Sequence, residues 1–122
     1  MSEYVEYLHE VFVKFGPMQP RRMFGGYGIF HKGLMFALVA DDVLYLKADE
    51  TMASDFEERE LEQFSYEKNG KAFKMSYYMA PDEIFDDPDE AKIWAARSYT
   101  AALRSKKPVK KTKERKKAKK RA

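Results

Sequence analysis

The stretch from Arg21 to Gly28 combines residue types that can bind an anion. Its glycines expose backbone N–H groups, and Arg21 and Arg22 add charged donors. The stretch lacks the third glycine of a G-x-G-x-x-G motif and the lysine of a P-loop. We therefore interpret it as a tight turn or bulge around which aromatic rings pack. The alternative hypothesis is a small enzyme or ligand-binding protein with an anion site near Arg21, Arg22 and the Gly25–Gly28 turn.

Aromatic residues close to these arginines have the composition of an RNA-binding sheet, in which exposed rings stack on bases. They are Phe24, Tyr27, Phe30 and Phe36. Their order does not reproduce the basic, glycine and aromatic block of such sheets. We therefore predict that these rings pack in the core.

Acidic residues are concentrated between Asp82 and Glu90, where six of nine residues are carboxylates. Their spacing is not that of an EF-hand loop, which requires a glycine at its sixth position and a bidentate glutamate at its twelfth. We interpret the cluster as a solvated turn that caps a helix, with Asp87 as N-cap and Pro88 as the first helical residue.

Residues suited to catalysis or to metal binding are scarce. His9 and His31 belong to no H-E-x-x-H motif or local ligand pair, so we expect both on the surface. The chain has no cysteine, which excludes thiolate ligands and cysteine nucleophiles. We predict no catalytic residue, no metal and no cofactor, and hence a protein that is not an enzyme.

The lack of cysteine also removes any need for an oxidising compartment. The first ten residues carry acids where a signal peptide needs positive charge, and the longest apolar run, 34–40, is seven residues long. We expect a cytoplasmic protein that does not bind a membrane.

Charge divides the chain into two parts. Residues 1–104 carry a net charge of −7, whereas residues 105–122 carry +10 with Val109 as their one large aliphatic residue. We predict that this tail is disordered, and that it contacts nucleic acid weakly and without sequence preference. A solubilising tail without a dedicated partner is the alternative. The predicted contact residues are Lys106, Lys107, Lys110, Lys111, Lys113, Arg115, Lys116, Lys117, Lys119, Lys120 and Arg121.

The element pattern of the remaining residues predicts an α+β domain over residues 1–104. An amphipathic helix over 2–15, with Ser2 as a candidate N-cap, comes first, and a closing helix runs from Asp87 to about Arg104. Asn69-Gly70 predicts a type I′ hairpin turn. Short turns imply antiparallel strands with helices on one face of the sheet. The predicted strands are 21–24, 27–31, 34–40, 43–48, 64–67 and 72–78, with a short helix over 50–59.

Five segments of the chain, taken in order, resemble one family. They are the run Arg21-Arg22-Met23-Phe24-Gly25-Gly26-Tyr27-Gly28, then Met35 to Leu38, Leu44 to Lys47, Met75 to Tyr78 and Asp87 to Trp94. It is similar to the N-terminal domain of the TfoX/Sxy regulators of bacterial competence, over roughly residues 4–104. The motif residues, for which we expect a mainly structural role, are Arg22, Met23, Phe24, Gly25, Gly26, Gly28, Phe36, Tyr45, Lys47 and Tyr78.

The resemblance implies a fold similar to that of type III secretion chaperones and a regulatory role without catalysis. Where family regulators continue into a second helical domain, this sequence has the basic tail. We expect an unidentified protein partner and leave a homodimer open. DNA transformation competence or transcriptional regulation is the process that the resemblance suggests.

Overall fold

The computed structural model describes residues 2–23 and 25–112, with side chains as far as Ser105. These residues form three α-helices and one six-stranded sheet, which confirms the predicted α+β class. The helices are α1 (Glu3–Val11), α2 (Glu50–Glu58) and α3 (Pro88–Thr112), and a short 3₁₀ helix covers Asp82–Phe85. The strands are β1 (Gln19–Met23), β2 (Gly26–His31), β3 (Leu34–Ala40), β4 (Val43–Lys47), β5 (Gln63–Lys68) and β6 (Lys71–Met79).

The sheet is antiparallel throughout and open, with the strand order β1-β2-β3-β4-β6-β5. Tight turns join β2 to β3, β3 to β4 and β5 to β6. In the last turn Asn69 and Gly70 have φ angles of 55° and 78°, which fits the type I′ turn predicted there. Helix α2 lies between β4 and β5 in the chain, and β6 pairs with β4, so that β5 is an edge strand.

One face of the sheet packs against all three helices. Val5 and Leu8 of α1, Phe56 of α2 and Trp94 of α3 join strand residues such as Leu46 in one buried cluster. We call this side the covered face. On β4 the buried Leu44 and Leu46 alternate with residues on the other side, as the period-two pattern predicted.

A bulge in the β2–β3 pair changes the alternation of side chains. Ile29 pairs with Ala37 but Phe30 pairs with Met35, so Phe36 has no partner across the ladder. Phe36 and Ala37 consequently both join the covered cluster. The Phe36 ring is fully buried, with ring centroids 5.5 Å from Phe12 and 5.1 Å from Phe15.

The opposite side carries no described helix, and we call it the uncovered face. Leu38, Phe64 and Tyr77 are nonetheless buried there. Met35, Tyr45, Tyr66 and Met75 lie around them and provide the cover that a helix layer gives elsewhere. The sheet therefore has a main core on one side and a smaller apolar cluster on the other.

Helix ends follow the predicted capping chemistry, but two helices differ in length from the prediction. Helix α1, predicted over 2–15, ends at Val11, and residues 12–15 form a turn instead. The Ser2 side chain accepts a hydrogen bond from Val5 N, and Asp87 accepts one from Asp89 N. We predicted that α3 ends at about Arg104, whereas it continues to Thr112. The helix thus enters the basic segment 105–122, for which disorder stays a prediction. Residues 113–122 lie outside the described residues.

Candidate interaction surface

The two arginines before the glycine run point to different sides of the sheet. Arg21 pairs with Gly28, and its guanidinium lies over the Phe30 ring, 4.7 Å from the centroid, on the uncovered face. Arg22, the next residue along the strand, lines a shallow cavity of about 400 Å³ together with Gly25 and Tyr27. Because successive strand residues face opposite sides, Arg21 and Arg22 do not converge on one anion.

Packing accounts for two of the glycines in this run. A Cβ on Gly26 would overlap the Val39 carbonyl oxygen of the neighbouring strand. At Gly28 a Cβ would lie 2.8 Å from the sulfur atoms of Met23 and Met35. Gly25 has the positive φ angle of the turn, 74°. These contacts support the packing interpretation of the motif, while Phe24 lies outside the described residues.

The rings proposed for base stacking are mostly engaged within the fold. Tyr27 packs against the covered cluster and Phe36 is buried inside it. Phe30 lies beneath the Arg21 guanidinium. This arrangement supports the predicted core packing for Tyr27 and Phe36 and leaves Phe30 on the uncovered face.

Lys47 occupies an apolar position on the uncovered face. Its Nζ donates to Ser76 Oγ at 2.7 Å and lies 5.2 Å from the centroid of the Tyr77 ring. Burial lowers the pKa of Lys47 and raises that of Tyr77 to about 12. None of the ion pairs among the described residues involves Lys47. Neither Ser76 nor Tyr77 is predicted from the sequence as a partner of Lys47, because both contacts depend on the pairing of β4 with β6.

Tyr45 and Tyr78 lie on opposite faces of the sheet. The Tyr45 ring is 5.0 Å from that of Phe64 on the uncovered face. Burial, and next the Glu62 carboxylate, raise the pKa of Tyr45. Tyr78 stacks on Phe56 at 5.2 Å in the covered core and donates its hydroxyl to Glu57 Oε2 at 3.0 Å.

Aromatic rings continue across the uncovered face toward the β5–β6 hairpin. Phe64, Tyr66 and Phe73 follow at centroid distances of 6.5 Å and 5.6 Å. Phe73, which ends the row, is 43% exposed. The row, with Lys47 on the neighbouring β4, forms a broad surface without a deep pocket among the described residues, a shape that suits a macromolecule. Arg21 lies on β1, at the opposite edge of the same face.

A cavity of about 420 Å³ lies between α2 and α3. Its two arginines already have carboxylate partners. Arg97 binds Asp55 at 2.7 Å and Arg104 binds Asp49 at 2.8 Å. The cavity therefore does not present converging cations to a ligand.

The acidic cluster is divided among structural contacts. Glu83 accepts a hydrogen bond from Arg59 at 2.8 Å, which lowers the Glu83 pKa, and Asp89 pairs with Lys14 at 3.0 Å. Asp87 caps α3. Within the described part of the chain, no group of three or more His, Asp or Glu side chains is arranged to hold a metal ion.

The two histidines differ from each other in burial. His9 is exposed on α1, as predicted. The prediction of a surface position is wrong for His31, which is only 8% exposed. Its ring lies 4.4 Å from Phe15 and its Nδ1 lies 2.7 Å from the Pro17 carbonyl oxygen. The chain between α1 and β1 folds over this side chain, a contact that no local pattern indicates.

The basic segment begins on α3. The backbone of Lys106, Lys107, Lys110 and Lys111 belongs to this 25-residue helix. The other predicted contact residues, Lys113, Arg115, Lys116, Lys117, Lys119, Lys120 and Arg121, lie outside the described residues. No helix in the described range is long and apolar enough to cross a membrane.

Comparison with known proteins gives one family and one relative. The family model of the TfoX N-terminal domain matches residues 10–102. The chain is 29% identical over 114 residues to the DNA transformation protein TfoX1 of Aliivibrio fischeri (strain ATCC 700601 / ES114). The alignment covers 93% of this chain and 54% of that protein. The chain thus spans about half the length of this curated relative.

Proposed function

Because the chain belongs to the TfoX N-terminal domain family, we propose that it is a regulatory domain that contacts other macromolecules and catalyses no reaction. The family resemblance stated from the sequence is confirmed. The relative is named for DNA transformation. We extend this process, or transcriptional regulation more broadly, to the present chain as part of the proposal, with the cytoplasm as its location.

The division of charge between residues 1–104 and the basic tail is the observation that supports a nucleic-acid contact. The acidic body repels phosphate, whereas residues 105–122 contain eleven cations and one acid. Helix α3 begins in the core and leads into this segment. Cations without aromatic neighbours give a salt-dependent attraction to phosphates and little base recognition. Nucleic acid would therefore be held at the end of α3 without sequence preference.

A protein partner would bind elsewhere, on the uncovered face. Arg21 and Lys47 place cations over rings there, and Phe73 is 43% exposed. Aromatic and arginine side chains dominate the energetics of many protein interfaces. The same chain could then contact nucleic acid through its tail and a protein through its sheet.

Anisotropy of labelled duplexes tests the nucleic-acid contact. If about six cations meet phosphates, log K falls against log salt with a slope near −5 for two unrelated sequences between about 50 and 200 mM salt. Substituting Lys106, Lys107, Lys110 and Lys111 by Gln should reduce that slope by about 3.6 if all four contact phosphates. Equal, salt-insensitive binding by both proteins would exclude the tail.

A control with the same loss of charge separates local contact from net charge. Lys68, Lys71, Lys74 and Lys92 are exposed on the body. Substituting these four by Gln should leave the slope almost unchanged. A decrease as large as that of the tail variant would mean that overall charge, not the tail, determines binding.

Affinity capture with and without nuclease tests the protein contact. We expect a protein that stays bound after nuclease treatment and is lost when Phe73 and Lys47 are replaced by Ser and Gln. If every captured protein disappears with nuclease, the uncovered face has no partner of its own.

A further inference from the structure

A groove with aromatic walls lies at the end of the molecule where α3 begins. It consists of two adjacent depressions of about 160 and 180 Å³ that share Phe85 as a wall. Tyr7 and Val11 of α1 line the first depression. Tyr4 and Leu44 line the second. The groove lies away from the uncovered face and from the C-terminal end of α3.

Three rings in this groove form a continuous row. Tyr7 and Phe85 are nearly parallel, with an interplanar angle of 14° and centroids 6.3 Å apart. Tyr4 follows at 6.4 Å from Tyr7. Tyr7 is 41% exposed although it is a large aromatic residue. Exposed ring faces of this kind attract lysine and arginine cations, and their aliphatic stems pack on the rings.

Carboxylates surround the rings. Four exposed carboxylates line the two depressions, namely Glu10, Asp42, Asp82 and Asp86. None of the four ion pairs formed within the described residues involves them. Burial raises the pKa of Tyr4 to about 12, with smaller contributions from Tyr7 and then from Asp42. Rings and carboxylates together favour a basic peptide.

We propose that this groove binds the basic C-terminal segment, residues 105–122, of a second copy of the chain. That segment carries eleven lysines and arginines, which complement both the rings and the carboxylates. Its sparse apolar side chains make cation–ring contacts and ion pairs the main attractive terms. The association is therefore salt-sensitive.

The geometry of α3 favours a second copy over the chain's own tail. Helix α3 starts beside the groove, at Pro88, and its 25 residues carry the chain about 37 Å away. Residues 105–112 belong to the last turns of this helix, so the chain's own lysines in this part are held at the end of α3 that is far from the groove. The chain's own tail would have to return along the whole helix and still lie in the groove. The tail of another copy has no such constraint.

The contact joins two different surfaces, the groove of one copy and the tail of the next. Such a head-to-tail contact can extend from copy to copy instead of closing into a two-fold dimer. This association between copies does not depend on the proposed binding of the tail to nucleic acid. If the tail does bind nucleic acid, the two partners compete for the same cations.

Sedimentation velocity of the full chain measures the association. We expect concentration-dependent species larger than a monomer at about 20 mM salt and a monomer at about 500 mM, because screening weakens exposed charge pairs. The double variant Glu10→Gln/Asp86→Asn should raise the dissociation constant about tenfold, which corresponds to about 1.4 kcal/mol. Tyr7→Leu, which keeps apolar bulk but removes the ring, should weaken it several-fold.

A matched variant removes the same charge elsewhere. Glu58→Gln/Glu67→Gln alters two exposed acids on α2 and β5 and should leave the dissociation constant unchanged. Equal weakening by both double variants would overturn the groove in favour of net charge. A monomer at low salt would overturn the proposal outright.

Carbodiimide cross-linking of a mixture of ¹⁵N-labelled and unlabelled chains identifies the donor of the tail. We expect links between Glu10 or Asp86 and tail lysines that pair a labelled with an unlabelled peptide. Links confined to one label would assign the groove to the chain's own tail and contradict a second copy. Loss of DNA binding with these links intact would refute the proposed nucleic-acid contact alone.

Discussion

The two faces of the sheet bury apolar side chains by different means. On the covered face, three helices enclose residues such as Phe36, Leu46 and Phe56 completely. On the uncovered face, Phe64 and Tyr77 are 7% and 6% exposed, although only side chains of the same face lie over them. Long side chains that lie flat on a sheet can thus replace a helix layer locally, and they leave the edge of the cluster open to a partner.

The cations of the two faces also differ. On the covered side, Arg59 and Arg97 approach the Trp94 ring at 5.2 and 4.7 Å, and each also binds a carboxylate. On the uncovered face, Arg21 and Lys47 contact rings but take part in none of the ion pairs of the described residues. Cations of the first kind hold helices together, whereas those of the second kind contact rings without a carboxylate partner among these ion pairs.

Substitution of Gly26 by Val should have the largest effect, because it disrupts the strand pair that carries both faces. The added side chain would overlap the Val39 carbonyl oxygen, a backbone atom that cannot move aside. We expect no cooperative thermal transition by circular dichroism. This loss of folding follows from the close approach of the neighbouring strand. It does not follow from backbone conformation, because the positive φ angle in this turn belongs to Gly25.

Gly33→Ala is the control for that experiment. Gly33 has a φ angle of 83° but no atom within 4 Å of an added Cβ. It should cost about 1 to 2 kcal/mol through backbone strain alone. A Gly26→Val protein that melts cooperatively within about 5 °C of the wild type, a difference of roughly 1 kcal/mol, would contradict the steric argument.

Truncation of a large ring should cost more on the covered face than on the uncovered face. Trp94→Ala should lower the free energy of unfolding by about 3 to 5 kcal/mol, because the helices prevent collapse of the cavity. Phe64→Ala should cost no more than about 3 kcal/mol, the lower end of the range for such truncations, because neighbouring side chains and water can fill the space. Urea titration gives both values.

The fluorescence of the single tryptophan provides an independent check. Trp94 is 4% exposed, so the folded wild type should emit at shorter wavelength than hydrated indole. Equal costs for the two truncations, or emission typical of hydrated indole, would remove the distinction between the faces.

Alkaline titration tests whether the uncovered cluster behaves as a core. Burial raises the pKa of Tyr77 from its usual 10 to about 12. The folded state therefore favours the neutral phenol, and this contribution is complete below pH 10 and lost as pH rises toward 12. At pH 11 the loss is about 1.4 kcal/mol.

Tyr77→Phe cannot ionise and should lack that share of the alkaline destabilisation. Urea midpoints at pH 8 and 11 measure the difference between the variant and the wild type. The same decrease in both proteins would show that Tyr77 ionises freely in the folded state, as an exposed phenol does.

Ser98→Ala should have the smallest effect on the free energy of unfolding, and we expect this effect to be stabilising. Ser98 is fully buried on α3, and its hydroxyl has no hydrogen-bond partner among the described atoms. Removing an unsatisfied buried hydroxyl should stabilise the protein by up to about 1 kcal/mol. A measurable loss of stability would mean that the hydroxyl has a partner.

The sequence by itself determined the elements and most of the helix caps, because their causes are local. Period-two alternation in 43–48 and the Asn69-Gly70 turn act within a few residues of the chain, as do the Ser2 and Asp87 caps. The uncovered cluster could in part have been anticipated, since the alternation of β6 places Phe73, Met75 and Tyr77 on one side.

Tertiary structure decided what depends on residues distant in sequence. The bulge that turns Phe36 into the core, the burial of His31 under the 15–17 segment and the contact of Lys47 with Ser76 each join separate segments. Helix α3 continues past Arg104 although the apolar spacing that predicted it ends there. A local pattern predicts which face of a helix is buried. Which side of the sheet Arg21 and Arg22 face, and which side chains are neighbours across strands, depend on the strand pairing of the whole sheet.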